Sequence, residues 1–391
     1  MSSKFSRLDS FKSVLSENII NIVQLKKLCI DGCIDEVRPL AWRILLNLLP
    51  PKTEEWQSHL EKIRSRYENH IREFIIQAGS NLKIEDHPLN LDPKSQWVEY
   101  FKDNEMLLQI NKDCKRLCPD LNFFQQLTRY PLGGMTNELK VENTLRKRIE
   151  NSNLECKDVL KDRMGKNIEK ALSVVNNSSF SSFKLKEDEE MHWEVVQRIL
   201  FIYCKTNKAH SYVQGMNEII GPLYYVFGTG SDEITKRNAE ADTFYCFIEI
   251  MRDVQPLFIK SLDSDPLCGV QYRLTQFMEY LKDIDLELIQ KLEEIKLLPE
   301  YYAFRWVTLY LSREFTMPDV IRLWDSLFSV KNRLDFMIYV CCALIVILKD
   351  ELMESNFAQA MQIVQNIQTS EIDIDKVMQK SMEYYFRYGD C

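Results

Sequence analysis

The chain has 391 residues, and its 50 lysines and arginines against 58 aspartates and glutamates give a net charge of −8 at pH 7. Hydrophobic residues make up 45% and charged residues 28%, a balance that is typical of globular proteins and excludes a mostly disordered chain. An acidic chain also lacks the overall positive field of a non-specific nucleic-acid binder, so we expect no nucleic-acid partner.

Helical periodicity runs through most of the chain, because apolar residues recur at three- and four-residue spacing and there are only 11 glycines and 12 prolines. The sequence therefore predicts an all-α fold, and the lack of a fixed-length repeat argues against a solenoid. In chain order, the predicted helices cover residues 25–32, 38–50, 56–76, 97–117, 191–203, 239–251, 272–281, 285–296, 302–315, 318–327 and 334–349.

Cysteine usage and the apolar segments favour a cytoplasmic protein. The 11 cysteines are odd in number, and no apolar signal-peptide core follows the first residues, so we expect reduced thiols. The most apolar window, 336–348, is shorter than the roughly 18 to 20 residues that cross a bilayer. We predict a buried core helix there and no transmembrane segment.

A segment at 150–190 differs in composition from its surroundings. Serines and asparagines stand there among lysines and acids with few apolar residues, which predicts a mobile insertion with transient helix near 168–175. A polar loop with two prolines is predicted at 81–93.

Several kinds of site have no signature in this sequence. Neither a Walker A loop nor a Gly-x-Gly-x-x-Gly turn is present, so we expect no nucleotide-binding loop. The histidines are far apart, and the cysteine pairs lack the two-residue spacing of zinc knuckles, so no metal site is predicted. A catalytic triad assembled only in space stays open, but nothing points to one.

Two polar clusters carry the functional signal. In the first, Asp113 shares a helix face with Ile110, Cys114 and Leu117, which places an acid on an apolar side. Such an acid needs a donor, and Arg116, three residues on, can supply one. The alternative is an ordinary surface arginine favoured by the dipole at a helix C-terminus.

The second cluster follows the predicted 191–203 helix. Gln214 is followed directly by Gly215, with Tyr212 and Asn217 nearby, which offers an amide beside backbone that a ligand can approach closely. The alternative is a helix start whose polar side chains satisfy one another. Together the clusters supply one permanent cation and one neutral amide, which suit charge stabilisation and water positioning better than covalent catalysis.

These motifs resemble the TBC-domain family of Rab GTPase-activating proteins. Ile110-x-x-Asp113-x-x-Arg116 is similar to the arginine-finger motif, and Tyr212-x-Gln214-Gly215-Met216 to the glutamine-finger motif. The resemblance spans about 29–349, and within the family it is greatest to the member-thirteen subgroup of TBC1-domain proteins. The other matching residues stand in the family order and include Gly32, Arg38, Trp42, Phe304, Arg305, Trp306, Glu314, Phe315, Leu323, Trp324 and Asp325.

The resemblance implies a two-lobed helical TBC (Rab-GAP) domain. Its expected limits are 29–349, with the insertion at 150–190, an N-terminal segment at 1–28 and a C-terminal helical extension at 350–391. Arg38, Asp325 and the tryptophans at 42, 306 and 324 are predicted to be architectural, because a tryptophan on a helical apolar face usually belongs to the core. One departure from the family stands next to the finger arginine, where Leu117 replaces the usual threonine.

The implied activity is stimulation of GTP hydrolysis by a Rab-family GTPase in its GTP-bound form. Arg116 and Gln214 would be the catalytic residues in trans, while Asp113, Tyr212, Gly215 and Asn217 would support them or contact the GTPase. The chain would need no cofactor of its own, since GTP and Mg²⁺ belong to the partner. Membrane association would be indirect, through a lipidated Rab on vesicles or other endomembranes.

Two alternatives remain at this point. One is a non-catalytic adaptor of the same fold that binds a Rab or another trafficking partner. The other is a helical scaffold unrelated to GTPases, in which both motifs serve core packing. The finger hypothesis predicts that Arg116 and Gln214 meet at one exposed groove, whereas the scaffold predicts buried or opposed side chains.

Overall fold

A computed structural model describes residues 2–76, 96–132, 144–152, 186, 189–207, 211–259, 269–370 and 372–389. Within these ranges the regular structure is helical, with two isolated β-bridges and no strand, which confirms the predicted all-α class. The predicted loop at 81–93 and nearly all of the predicted insertion at 150–190 lie outside the described residues.

The chain forms two compact units, one from residues 1–62 with 218–391 and one from residues 63–217. The helices of the first unit are Ser2–Leu15, Ile22–Cys29, Arg38–Leu45, Met216–Gly228, Glu233–Arg237, Ala239–Val254, Val270–Ile284, Leu286–Glu294, Ala303–Thr308, Met317–Ser329, Arg333–Ile347, Lys349–Glu354, Phe357–Gln365 and Ile374–Tyr388. Of these, Met216–Gly228 begins at the boundary between the units. Its short 3₁₀ turns are Thr53–Glu55, Gln255–Phe258, Pro299–Tyr301 and Ile367–Thr369.

The second unit is smaller. Its helices are Trp56–Ile71, Gln96–Lys115, a segment at 145–152 and His192–Thr206, of which the first crosses the boundary between the units. A π turn at Arg72–Ile76 and a 3₁₀ turn at Asn122–Gln125 complete its helical structure. The predicted helix at 56–76 thus ends as an α-helix at Ile71 and continues as a wider turn.

The core of the first unit is built around Arg333–Ile347, whose side chains from Phe336 to Ile345 are all buried. This helix packs against Val270–Ile284, Ala303–Thr308 and Ile374–Tyr388. It is the core helix predicted from the apolar window. Across the described ranges, we find no helix that has both the length and the apolar character to span a membrane.

The predicted helix at 302–315 is wrong in its length. It stops at Thr308, because Tyr310 and Leu311 adopt positive φ angles of 51° and 56° that turn the chain. Both side chains are nevertheless buried. A buried turn therefore presents the same apolar pattern that a longer helix would have.

One buried carboxylate ties the start of the chain to a late helix of the same unit. Asp325 accepts hydrogen bonds from Trp42 Nε1 at 2.7 Å, from the Cys33 backbone N–H at 2.7 Å and from Arg38 Nε at 3.1 Å. We call these four residues the Asp325 cluster. Burial raises the pKa of Asp325, although all three donors act against that shift.

The tryptophans of the motif blocks are fully enclosed. Trp42, Trp306 and Trp324 are each 0% exposed, which confirms that they belong to the core.

Candidate functional site

The second unit places both finger motifs within a single hydrogen-bonded region. The Gln96–Lys115 helix, which carries the first motif, packs against His192–Thr206. Asn111 Nδ2 donates to Gln197 Oε1 at 2.6 Å in the buried interface between these two helices. This pair was not predicted, although Asn111 precedes the buried Cys114 by three residues and so adjoins the apolar face.

The first motif lies at the C-terminal end of its helix. The helix ends at Lys115, and its last turn tightens, with the Arg116 N–H donating to the Asp113 carbonyl at 3.3 Å and the Leu117 N–H to the Cys114 carbonyl at 3.1 Å. Leu117, in the position of the family threonine, is 0% exposed and fills the core. The Arg116 side chain, by contrast, is 63% exposed.

Asp113 connects the two motifs. It is 3% exposed, and its Oδ1 accepts a hydrogen bond from Arg116 Nη2 at 2.5 Å, which confirms the predicted donor. The other oxygen, Oδ2, accepts one from the Tyr212 hydroxyl at 2.8 Å. Burial raises the pKa of Tyr212 well above its ordinary value, and the hydrogen bond to Asp113 raises it further. The hydroxyl therefore remains a donor at every physiological pH.

The second motif forms a turn that starts a helix. Gly215 has a φ of 107°, a conformation that favours glycine, and it directly precedes the Met216–Gly228 helix. Asn217 is 2% exposed, with its Oδ1 3.3 Å from the Tyr212 hydroxyl and its Nδ2 donating to the Asp113 carbonyl at 3.5 Å. Ala209 and His210, the first residues of the predicted cluster, lie outside the described residues.

The structure thus joins four predicted residues, Asp113, Arg116, Tyr212 and Asn217, which we call the Asp113 network. Gln214 is exposed and stands two residues after Tyr212. An exposed guanidinium held by a buried acid can neutralise charge, and an exposed amide can orient a small polar molecule. Among the described residues, no three or more histidines, cysteines or acids lie close enough together to hold a metal ion.

Two aromatic contacts lie near the start of the His192–Thr206 helix. Lys115 Nζ lies 5.5 Å from the centre of the Trp193 ring, and the His192 ring stacks on Phe123 with centroids 4.1 Å apart. Burial lowers the pKa of His192 to about 4, so this ring is neutral near pH 7. Sequence reasoning missed these contacts, because the partners are distant in the chain and form no motif.

Comparison with known proteins agrees with the family resemblance. A family model described as the Rab-GTPase-TBC domain matches residues 130–353. TBC1 domain family member 13 from Mus musculus is 44% identical over 394 residues, covering 97% of each chain, and the Homo sapiens protein is 45% identical with the same coverage. A TBC domain-containing protein of Schizosaccharomyces pombe is 34% identical over 449 residues, with 96% of this chain and 72% of that protein covered.

A solved structure agrees at the level of the fold. The crystal structure of the Ypt/Rab-GAP domain of Gyp1p matches with a TM-score of 0.67 at 19% identity, covering 98% of each chain. The helical architecture, the family model and the relatives at 44–45% identity lead to one conclusion. This chain belongs to the Rab-GTPase-TBC family.

Proposed function

We propose that this chain stimulates GTP hydrolysis by a Rab-family GTPase, and that Arg116 and Gln214 enter the GTPase site in trans. Family membership supports Rab GAP function in general. The finger assignment is supported chiefly by one observation. Arg116 is 63% exposed while its partner Asp113 is buried, so the guanidinium is held through one amino group while most of the side chain is open to solvent.

The anchored arginine suits phosphoryl transfer. The GTPase brings GTP and Mg²⁺ as substrate and metal, and charge develops on the transferring phosphoryl group. Asp113 engages one amino group of Arg116, and the planar guanidinium has five N–H donors, so a second anion can be bound at the exposed side. An arginine finger contributes on the order of 10³ to 10⁵ in rate, or roughly 4 to 7 kcal/mol of the barrier.

Gln214 would hold the attacking water. A glutamine amide both donates and accepts, so it can orient a water molecule toward the phosphoryl group. The positive φ of Gly215 sets the direction of the turn that carries it. In this proposal the two exposed side chains act together on the GTP-bound partner, and the lipidated partner also brings the chain to vesicle membranes.

The test is a GTP-hydrolysis screen over a panel of GTP-loaded Rabs, with wild type and Arg116→Ala side by side. We expect the variant to lose on the order of 10³-fold or more of the stimulation while Rab binding survives, because the finger acts mainly in the transition state. Arg66→Ala removes an exposed arginine from the Trp56–Ile71 helix of the same unit and serves as the matched control. An Arg116→Ala protein with most of the wild-type stimulation would contradict the assignment.

Gln214→Ala tests the second finger in the same assay. We expect a loss on the order of 10²-fold, since one preorganised hydrogen-bonding group is removed from the reacting centre. Full activity of this variant would mean that another group holds the water. Wild-type protein that binds GTP-loaded Rabs and accelerates none of them would support the adaptor instead.

A further inference from the structure

Exposed cations lie together at the C-terminal end of the Gln96–Lys115 helix. Lys115 and Arg116 follow Lys112 by three and four residues, so the three share one side of the last turn, and all are exposed. The opposite side of the helix is buried and consists of Ile110, Asp113, Cys114 and Leu117. We call Lys112, Lys115 and Arg116 the cationic face.

Two of these cations have no acid to balance them. Between residues 106 and 119 the one acid is Asp113, which is buried and bonded to the finger arginine. Neither Lys112 nor Lys115 forms an ion pair within the ranges that the structure describes. Lys205 in the same unit, by contrast, lies 3.1 and 2.8 Å from two carboxylates. The cationic face is therefore a local reversal of sign in a chain whose net charge is −8.

The Lys115 ammonium is held in place without being neutralised. Its Nζ lies 5.5 Å from the centre of the Trp193 ring, and Trp193 is 8% exposed on the neighbouring helix. An aromatic face attracts a cation through its quadrupole but carries no net charge, so the positive charge stays available to a partner. The Lys115 carbonyl also accepts a hydrogen bond from Gln125 Nε2 at 3.3 Å, which ties the end of the helix to the following 3₁₀ turn.

The charge of this face favours a protein partner over a membrane. The helix dipole stabilises cations at a C-terminus, which explains why the fold tolerates three of them, but the dipole supplies no anion for a partner-binding surface to exclude or select. Lipid-binding polybasic segments use about four to eight lysines and arginines, whereas the cationic face has three. Two or three fixed cations suit a few carboxylates on a folded surface.

We propose that Lys112 and Lys115 are specificity-determining residues that dock a GTPase partner with carboxylates beside its nucleotide site. The proposal rests on the proposed function, in which Arg116 enters that site and brings the two lysines to its rim. A helix rises 1.5 Å per residue, so Lys112 starts about 6 Å behind Arg116, and Lys115 is held at Trp193. Both lysines therefore meet the protein surface around the phosphoryl group. Complementary charge there speeds association and selects among partners.

Stimulated GTP hydrolysis at about 0.05 M and about 0.5 M salt tests this proposal, on the Rab that wild type stimulates most. The double variant Lys112→Gln/Lys115→Gln should lower kcat/KM about tenfold at low salt and less than about threefold at high salt, with the loss in KM. Glutamine is chosen because a glutamate at position 112 would pair with Arg116, four residues on. Lys112→Arg/Lys115→Arg keeps both charges and should keep the wild-type values.

Lys62→Gln/Lys102→Gln is the matched control. It removes two exposed lysines from the Trp56–Ile71 and Gln96–Lys115 helices, and neither has an ion pair among the described residues. A Lys112→Gln/Lys115→Gln protein that behaves like this control overturns the proposal. So does a loss that lies in kcat or that is equal at both salt concentrations.

The dissociation constant for GTP-loaded Rabs, measured in parallel, separates this proposal from the proposed function. If wild type binds a Rab but accelerates none, the finger mechanism fails, and the same salt-dependent weakening by Lys112→Gln/Lys115→Gln would still support the docking role. A wild type that binds no GTP-loaded Rab overturns both. Pelleting with anionic vesicles that requires the two lysines, while Rab binding does not, would assign the cationic face to a membrane instead.

Discussion

The Asp325 cluster and the Asp113 network each contain a buried aspartate paired with an arginine, but the two arginines differ in how far they are exposed to solvent. Asp325 is 0% exposed and its arginine, Arg38, is 13% exposed. Asp113 is 3% exposed, whereas the side chain of Arg116 is 63% exposed. The acids match in burial, and only the arginines differ.

The difference follows from what else each arginine contacts. Arg38 also donates from Nη2 to the Cys33 carbonyl at 2.6 Å and pairs through Nη1 with Asp35, so all three of its nitrogens are engaged within the unit. Arg116 holds Asp113 through Nη2 at the tightened end of its helix, and most of its surface faces solvent. An enclosed pair fixes the fold, whereas an open pair presents a charge in a fixed direction.

Lysine substitutions at the two arginines should separate these roles most sharply. An ammonium cannot reproduce the planar fork of a guanidinium, so Arg116→Lys should lose on the order of 10³-fold of stimulated GTP hydrolysis, or about 4 kcal/mol of barrier, with an unchanged melting temperature. Arg38→Lys should lower the melting temperature and leave activity per folded molecule unchanged. Kinetics and calorimetry on both variants provide the check. If either variant lost both stimulated hydrolysis and melting temperature, the distinction between the two arginines would be removed.

Removing the charge of each acid is the next comparison. Asp325→Asn leaves the enclosed Arg38 without its carboxylate and turns an amide N–H₂ toward existing donors, so we expect about 3 kcal/mol of lost stability. Asp113→Asn should cost less stability, because Arg116 can turn to water, and should instead lower stimulated hydrolysis about tenfold. Chemical denaturation beside the GTPase assay measures both. Equal stability losses would show that the Asp113 network supports the fold as much as the Asp325 cluster does.

A pH dependence is expected from His192 in the second unit. The folded pKa of about 4 lies below the ordinary 6.5, so the unfolded chain takes up a proton first as the pH falls. Stability from the neutral ring is therefore complete above pH 6.5 and is lost progressively toward pH 4. At pH 5 the loss should reach about 2 kcal/mol.

His192→Phe is the control for that dependence, because it keeps a ring against Phe123 and cannot be protonated. The free energy of unfolding of wild type relative to this variant should fall between pH 7 and pH 5. Parallel curves would show that His192 is not responsible.

Local spacing predicted the parts of the site that lie within one helix. Asp113 and Arg116 are three residues apart, and the helical period alone places the guanidinium near the acid. The same reasoning predicted the buried 336–348 window, since its length and flanking charges exclude a membrane span. It failed at 302–315, where Tyr310 and Leu311 are buried in a turn with positive φ and their apolar character resembles a continuing helix.

Contacts between distant segments could not be predicted from spacing. The Tyr212 hydroxyl reaches Asp113 across 99 residues, and Asn111 reaches Gln197 across 86. The family resemblance indicated that the two motifs cooperate, but it did not indicate that Asp113 joins them by accepting hydrogen bonds from both Arg116 and Tyr212. A helix period describes faces, and it contains no information about which faces meet.

Tyr212→Phe tests that link with the smallest expected effect. The substitution keeps the ring and removes the hydroxyl, so Asp113 loses one donor while Arg116 remains bonded to its other oxygen. We expect about 1 kcal/mol of lost stability and a loss of stimulated hydrolysis of no more than about tenfold. Because the Tyr212 pKa is raised far above neutrality, the ratio of wild-type to variant activity should be constant between pH 6 and pH 9. A ratio that changes across this range would mean that the hydroxyl titrates and has a role beyond donating to Asp113.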